Sequence, residues 1–143
     1  MNAGKAFFDT NVLLYMHSVA DLNKHARAQQ IFEECLNNGR IVLSTQVVQE
    51  FHAAGSRKIG IPREALRILT GALLELPLVD VGASHIRKAL WIEEQYQISF
   101  WDALILAAAE SAGAEVLYTE DLNDGQQYGA IRVENPFRQL NIR

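Results

Sequence analysis

The sequence has little cysteine, little proline, no long apolar run and no positive excess, and each shortage excludes something. Cys35 is the only cysteine in 143 residues, so no internal disulfide can form and nothing argues for an oxidising compartment. Only three prolines occur, with no low-complexity stretch beside them, so the pattern predicts no linker and one domain over residues 1–143. The longest uninterrupted apolar run, Ala103 to Ala109, is far too short to span a bilayer. Met1 to Lys5 lead straight into a strand and lack the apolar region of a secretory leader. The expectation is a cytoplasmic protein with no membrane partner. A formal charge of −4 gives no general reason to expect nucleic acid, although net charge hides local distribution. No Gly-x-x-x-x-Gly-Lys-Ser/Thr phosphate loop is present. His17, His25, His52 and His85 lack metal-ligand spacing and read as structural or exposed, and no nucleophile–histidine pair stands out.

What is present is apolar material in alternating short and long blocks. The hydrophobic share of 49% is high, and an oligomer or partner surface would absorb some of the surplus. Lys5 to Phe8, Ile41 to Leu43, Leu78 to Val81, Ala114 to Thr119 and Ile131 to Val133 read as strands. Val12 to Met16, Leu22 to Leu36, a stretch starting at Ser44 or Thr45, Pro62 to Leu76 and Ser84 to Tyr96 read as helices. Their predicted buried sets are Ala26, Ile31, Phe32, Cys35 and Leu36; Val47, Val48, Phe51 and Ala54; Leu66, Leu69, Leu73 and Leu74; and Ile86, Leu90 and Trp91. The alternation implies an α/β fold, a mainly parallel twisted sheet flanked by helices on both faces. In such sheets the working crevice lies outside the carboxyl ends of the strands.

The stretch Ser99 to Gly113 is the best-marked helix. Ser99 suits the N-cap, Gly113 suits the left-handed position past the end, and the apolar residues between them run nearly all the way round. One acid, Asp102, sits inside it. Three residues after Ser99 it can complete a capping box and meet the positive end of the helix dipole.

Other acids reach the same edge. Asp9 follows the first strand, and Asp121 follows the Ala114–Thr119 strand. Glu50 lies about one and a half turns into the helix after the second strand. Singly, Asp9 reads as a cap, Glu50 as a solvated helix residue and Asp121 as a turn former. Jointly, four acids from distant segments converge on one crevice. Two carboxylates ~5 Å apart repel by ~3 kcal/mol at an effective dielectric of about 20. A cluster must therefore raise its own pKa values or recruit a cation. All-oxygen ligands favour Mg²⁺ or Mn²⁺ over Zn²⁺, and carboxylate-held Mg²⁺ most often serves phosphate chemistry. The expected reaction is metal-assisted hydrolysis.

The segments Phe8-Asp9-Thr10-Asn11-Val12-Leu13, Ser44 to Phe51, Phe100-Trp101-Asp102-Ala103-Leu104-Ile105 and Tyr118 to Gln126 resemble, in order, the four acidic motifs of the PIN-domain ribonucleases. The size is similar to that of VapC toxins of toxin–antitoxin pairs. The resemblance implies a PIN-like three-layer fold and a Mg²⁺ or Mn²⁺ site at the sheet's carboxyl edge. It also implies endonucleolytic cleavage of single-stranded or looped RNA. It makes Asp9, Glu50, Asp102 and Asp121 the acidic set, with Asp9 and Asp102 the main metal ligands and Glu50 and Asp121 serving a second metal or the attacking water. Asn11 and Thr119 match polar positions lining the site. Asp124 stands where many relatives carry an aromatic, and is either a second-layer acid or a turn residue with Gly125. The family further implies a homodimer and an antitoxin protein that fills the groove. RNA contacts would come from Lys5, Arg57, Lys58, Arg63 and Arg67. Two other readings use the same acids: a PIN-like module that binds RNA or protein without cutting, and a metal-dependent nuclease or phosphatase acting on DNA or nucleotides.

Overall fold

A computed structural model describes residues 4–138. Pairs of helices separate the first four strands, and the last three strands follow one another directly: β1 (Lys5–Phe8), α1 (Thr10–Tyr15), α2 (Leu22–Asn37), β2 (Ile41–Ser44), α3 (Thr45–Ile59), α4 (Arg63–Leu74), β3 (Leu78–Val79), α5 (Ala83–Tyr96), α6 (Phe100–Ser111), β4 (Ala114–Tyr118), β5 (Gln127–Tyr128) and β6 (Ile131–Glu134). The strands form a six-stranded sheet in the order β3-β2-β1-β4-β6-β5. All neighbours are parallel except β5 and β6. β1 and β4 are adjacent at the centre, with Phe8 opposite Tyr118. The residues that follow these two strands therefore emerge side by side, which places Asp9 next to Thr119.

Burial explains the central strands. Ala6, Phe7 and Phe8 are inaccessible to solvent, as are Leu43 and Leu117. Helix α6 is the inner support of the sheet, with every residue from Ala103 to Ala109 buried. Its ends are those the sequence predicts: the Ser99 hydroxyl accepts from the Asp102 N–H at 3.1 Å, and Gly113 adopts φ +72°. That left-handed value favours glycine because it has no Cβ to clash.

Three helices bury a stripe shifted from expectation. In α5, Ala89 and Ile92 are buried, while Ile86, Leu90 and Trp91 are exposed. The cause is the neighbour: α5 packs on α6, and close approach of two helices selects the small side chain of Ala89. Trp91 instead carries the Lys88 ammonium 4.8 Å from its ring centre. In α2 the stripe runs Ala28, Ile31, Phe32 and Cys35, the i, i+3, i+4, i+7 set, leaving Ala26 and Leu36 outside. In α4 Leu66 is buried, Leu69 and Leu73 are half-buried and Leu74 is exposed. β3 stops at Val79, because the Val81 N–H turns away to the Thr45 hydroxyl at 3.1 Å. No helix among the described residues is long and apolar enough to cross a membrane.

Candidate active site

The site is assembled by the short connections at the carboxyl ends of β1, β2 and β4. Asp9 ends β1 in extended conformation and caps α1, its Oδ1 accepting from the Thr10 N–H at 2.7 Å. Its own N–H continues the ladder to the Tyr118 carbonyl at 3.0 Å. The wholly buried Thr119 donates its hydroxyl to Asp9 Oδ2 at 2.8 Å. The same hydroxyl oxygen accepts from the Asp121 N–H at 3.1 Å and from Asn11 Nδ2 at 3.3 Å. Asn11 Nδ2 also donates to Asp121 Oδ2 at 2.9 Å. One threonine thus fixes the first and fourth acids against each other.

Asp102 arrives from the first turn of α6. Asp9, Asp102 and Asp121 each offer a carboxylate oxygen, and these oxygens lie within 4.8 Å of one another. Glu50 lines the same crevice but is held one layer out. The Thr10 hydroxyl donates to its Oε1 at 2.8 Å, and Gln46 Nε2 approaches its Oε2 at 3.4 Å. Gln46 Nε2 also donates to the Trp101 carbonyl at 3.3 Å, so one buried amide ties Glu50 to the turn that carries Asp102. The crevice encloses about 420 Å³ and is also lined by Arg57 and Lys58 from the end of α3.

Electrostatics follows from this crowding. Asp9 is only 7% exposed, and burial pushes its carboxyl up to about 7, against the lowering effect of the Thr119 and Thr10 hydrogen bonds. The nearby carboxylates of Asp121 and Asp102 push it the same way. Asp102, half-buried, is also raised, first by burial and then by Asp121 and Glu50, with Ser99 opposing. Ion pairs among the described residues join Lys24 to Glu120, Lys88 to Glu110, Arg132 to Glu134 and Arg138 to Asp124, and none of them neutralises this cluster. Asn11 Oδ1 is a further buried oxygen with no hydrogen-bond donor among the described residues. Clustered, uncompensated oxygens with no nitrogen or sulfur donor fit a hard divalent cation such as Mg²⁺ or Mn²⁺.

Asp124 departs from the second-layer role. Its carboxylate accepts from the Asn135 N–H at 2.7 Å and from Arg138 Nη1 at 2.6 Å, and it does not line the crevice. Those two bonds lower its pKa, the backbone one most. Gly125, at φ +83°, makes the turn beside it. Of the basic residues expected to meet RNA, Arg57 and Lys58 line the crevice, whereas Lys5, Arg63 and Arg67 do not. Sequence reasoning passed over Thr10, Gln46 and Trp101. The first two had a readable signal, since Thr10 adjoins Asp9 and Gln46 precedes Glu50 by one helical turn.

Residues 6–125 match the family model of the PIN domain, and the chain belongs to that family of nucleases. No curated protein sequence matches it significantly. Solved structures do. A toxin–antitoxin complex from Klebsiella pneumoniae aligns at 21% identity and TM-score 0.70, over 92% of this chain and 98% of that one. DNA-bound VapBC from Salmonella typhimurium aligns at 21% identity and TM-score 0.68, over 94% and 99%. The sarcin–ricin-loop-cleaving toxin VapC20 of Mycobacterium tuberculosis aligns at 20% identity and TM-score 0.67, over 82% and 90%. At such identities these likenesses speak for the fold.

Proposed function

We propose that this protein is a metal-dependent endoribonuclease and the toxin of a type II toxin–antitoxin pair. The observation that carries the reading is the trio Asp9, Asp102 and Asp121, drawn from three distant segments so that their carboxylate oxygens lie within 4.8 Å, with no paired cation among the described residues. These three would hold Mg²⁺ or Mn²⁺. Such an ion, when bound, lowers the pKa of water and neutralises charge on phosphoryl oxygens. Thr119, Thr10 and Asn11 hold Asp9 and Asp121 in place before substrate arrives, so no reorganisation is needed at the moment of reaction. Glu50, oriented by Thr10 and Gln46, accepts the proton of the attacking water. Arg57 and Lys58 receive the phosphates flanking the cut.

The toxin assignment is supported by the family and by neighbours solved as toxin–antitoxin complexes. It brings a cognate antitoxin, a homodimer, a cytoplasmic setting and one PIN domain over residues 1–143. RNA as substrate is supported by the neighbour described as cleaving the sarcin–ricin loop. The test is cleavage of a labelled, structured RNA by purified protein in Mg²⁺, in Mn²⁺ and in chelator, beside Asp9→Asn. Cutting should need the ion and vanish in the variant. Tight metal-independent binding without cutting would instead make the protein a binding module.

A further inference from the structure

Trp101 is 62% exposed, yet it sits two residues before the fully buried stretch Ala103–Ala109 of its helix, immediately before Asp102, and lines the acidic crevice. A large aromatic left in water at such a place calls for an occupant. The contrast with the other indole sharpens this. Trp91 is also exposed, but its ring carries the Lys88 ammonium. Trp101 has only Phe100 as a ring neighbour among the described residues, edge-on at 5.3 Å and 74°. Its backbone is also fixed, because its carbonyl accepts from Gln46 Nε2, the same amide that approaches Glu50. The backbone that carries the indole is therefore tied to the acids. The crevice thus combines carboxylates for a cation, Arg57 and Lys58 for phosphates, and one flat apolar ring. Those elements match the parts of a nucleotide.

We propose that Trp101 is a stacking platform for an unpaired nucleobase of the RNA strand, seated beside the phosphate to be cut. The inference rests on the ribonuclease reading and assigns to one side chain a contact that only unpaired RNA can make. A base inside a duplex has both faces covered by its neighbours, so only single-stranded, looped or extruded nucleotides can use the indole. The contact is indifferent to base identity, since every base has a π-face. Sequence preference must then come from elsewhere in the crevice.

The test compares wild type, Trp101→Phe and Trp101→Ala in steady-state cleavage of a labelled single-stranded RNA in Mg²⁺. Loss of one base–aromatic stack should raise KM by about five- to a hundredfold in Trp101→Ala, with kcat much less affected and Trp101→Phe close to wild type. Thermal melts should be unchanged, because the side chain is exposed. A second measurement does not depend on the alanine variant. In a Trp91→Phe background the remaining indole emission is that of Trp101, and the single-stranded RNA in chelator should quench it while its fully complementary duplex does not. A wild type that cuts RNA while Trp101→Ala keeps its KM would overturn the platform and leave the ribonuclease reading standing. Equal quenching by duplex would also overturn it. Loss of dimer or partner binding in Trp101→Ala with unchanged KM would reassign the indole to a protein interface. A wild type that cuts no RNA would remove both readings.

Discussion

Replacing Asp9 by Asn should stabilise the metal-free protein at alkaline pH and not at acid pH. Asp9 titrates near 7 in the fold against 3.8 ordinarily. The folded state therefore holds a proton that the unfolded chain has already released, and it loses stability as pH rises between those values. This is opposite in sign to a salt-bridged carboxylate. The full penalty above pH ~7 is of the order of 4 kcal/mol. Asparagine removes it at a cost. It can still accept from the Thr10 N–H, but Thr119 loses an acceptor, and its hydroxyl already receives the Asp121 N–H and Asn11. That loss costs roughly 1–3 kcal/mol. The net gain at about pH 8 is then roughly 1–3 kcal/mol, a rise of about 5 °C in melting temperature. At about pH 5 the wild-type proton is already in place, and the variant should equal wild type or fall slightly below it. Circular-dichroism melts in chelator at both pH values measure this. A variant less stable at both, or a gap independent of pH, would refute the view that uncompensated buried charge governs this site.

Adding Mg²⁺ or Mn²⁺ should raise the melting temperature of wild type with a logarithmic dependence on concentration and leave Asp9→Asn nearly unmoved, as differential scanning fluorimetry would show. Asp124→Ala should lose roughly 1–2 kcal/mol through its bonds to Asn135 and Arg138, while cleavage stays within a few-fold of wild type. A hundredfold loss of cleavage would restore it to the site. Glu120 accepts from Tyr15 at 2.8 Å and from Lys24 at 3.0 Å, tying the segment bearing Asp121 to α1 and α2. Lys24→Ala should therefore lower cleavage several-fold with little loss of stability, and an unchanged rate would show that Asp121 needs no such tether. Gln46→Ala frees Glu50 and the Trp101 carbonyl together. It should depress kcat more than KM, and a change confined to KM would contradict the orientation of Glu50 by this amide.

The periodic and capping signals were legible because they are local. Alternating apolar blocks fixed the α/β order, and the Ser99 cap and Gly113 stop were read within one residue of the observed ends. Asp9 and Asp121 could be gathered because a parallel sheet sends the carboxyl ends of its strands to one edge; Glu50 and Asp102 reach it from helices, and all four do line one crevice. The stripe of α5 was misread because its sequence offers two apolar faces, and only its packing on α6 chooses between them. The short β5 escaped notice because two residues carry no period.

Sequence alone therefore determined which chemistry the chain can hold: oxygen ligands in four ordered motifs, with a single cysteine and no histidines in metal-ligand spacing to compete. Tertiary structure decided which acids meet. It placed Asp9, Asp102 and Asp121 together, set Glu50 back on Thr10 and Gln46, and turned Asp124 toward Arg138. Local propensity reaches only neighbours along the chain. The distances between carboxylates from separate strands and helices are set by how β1 and β4 pair and how α6 packs beneath them.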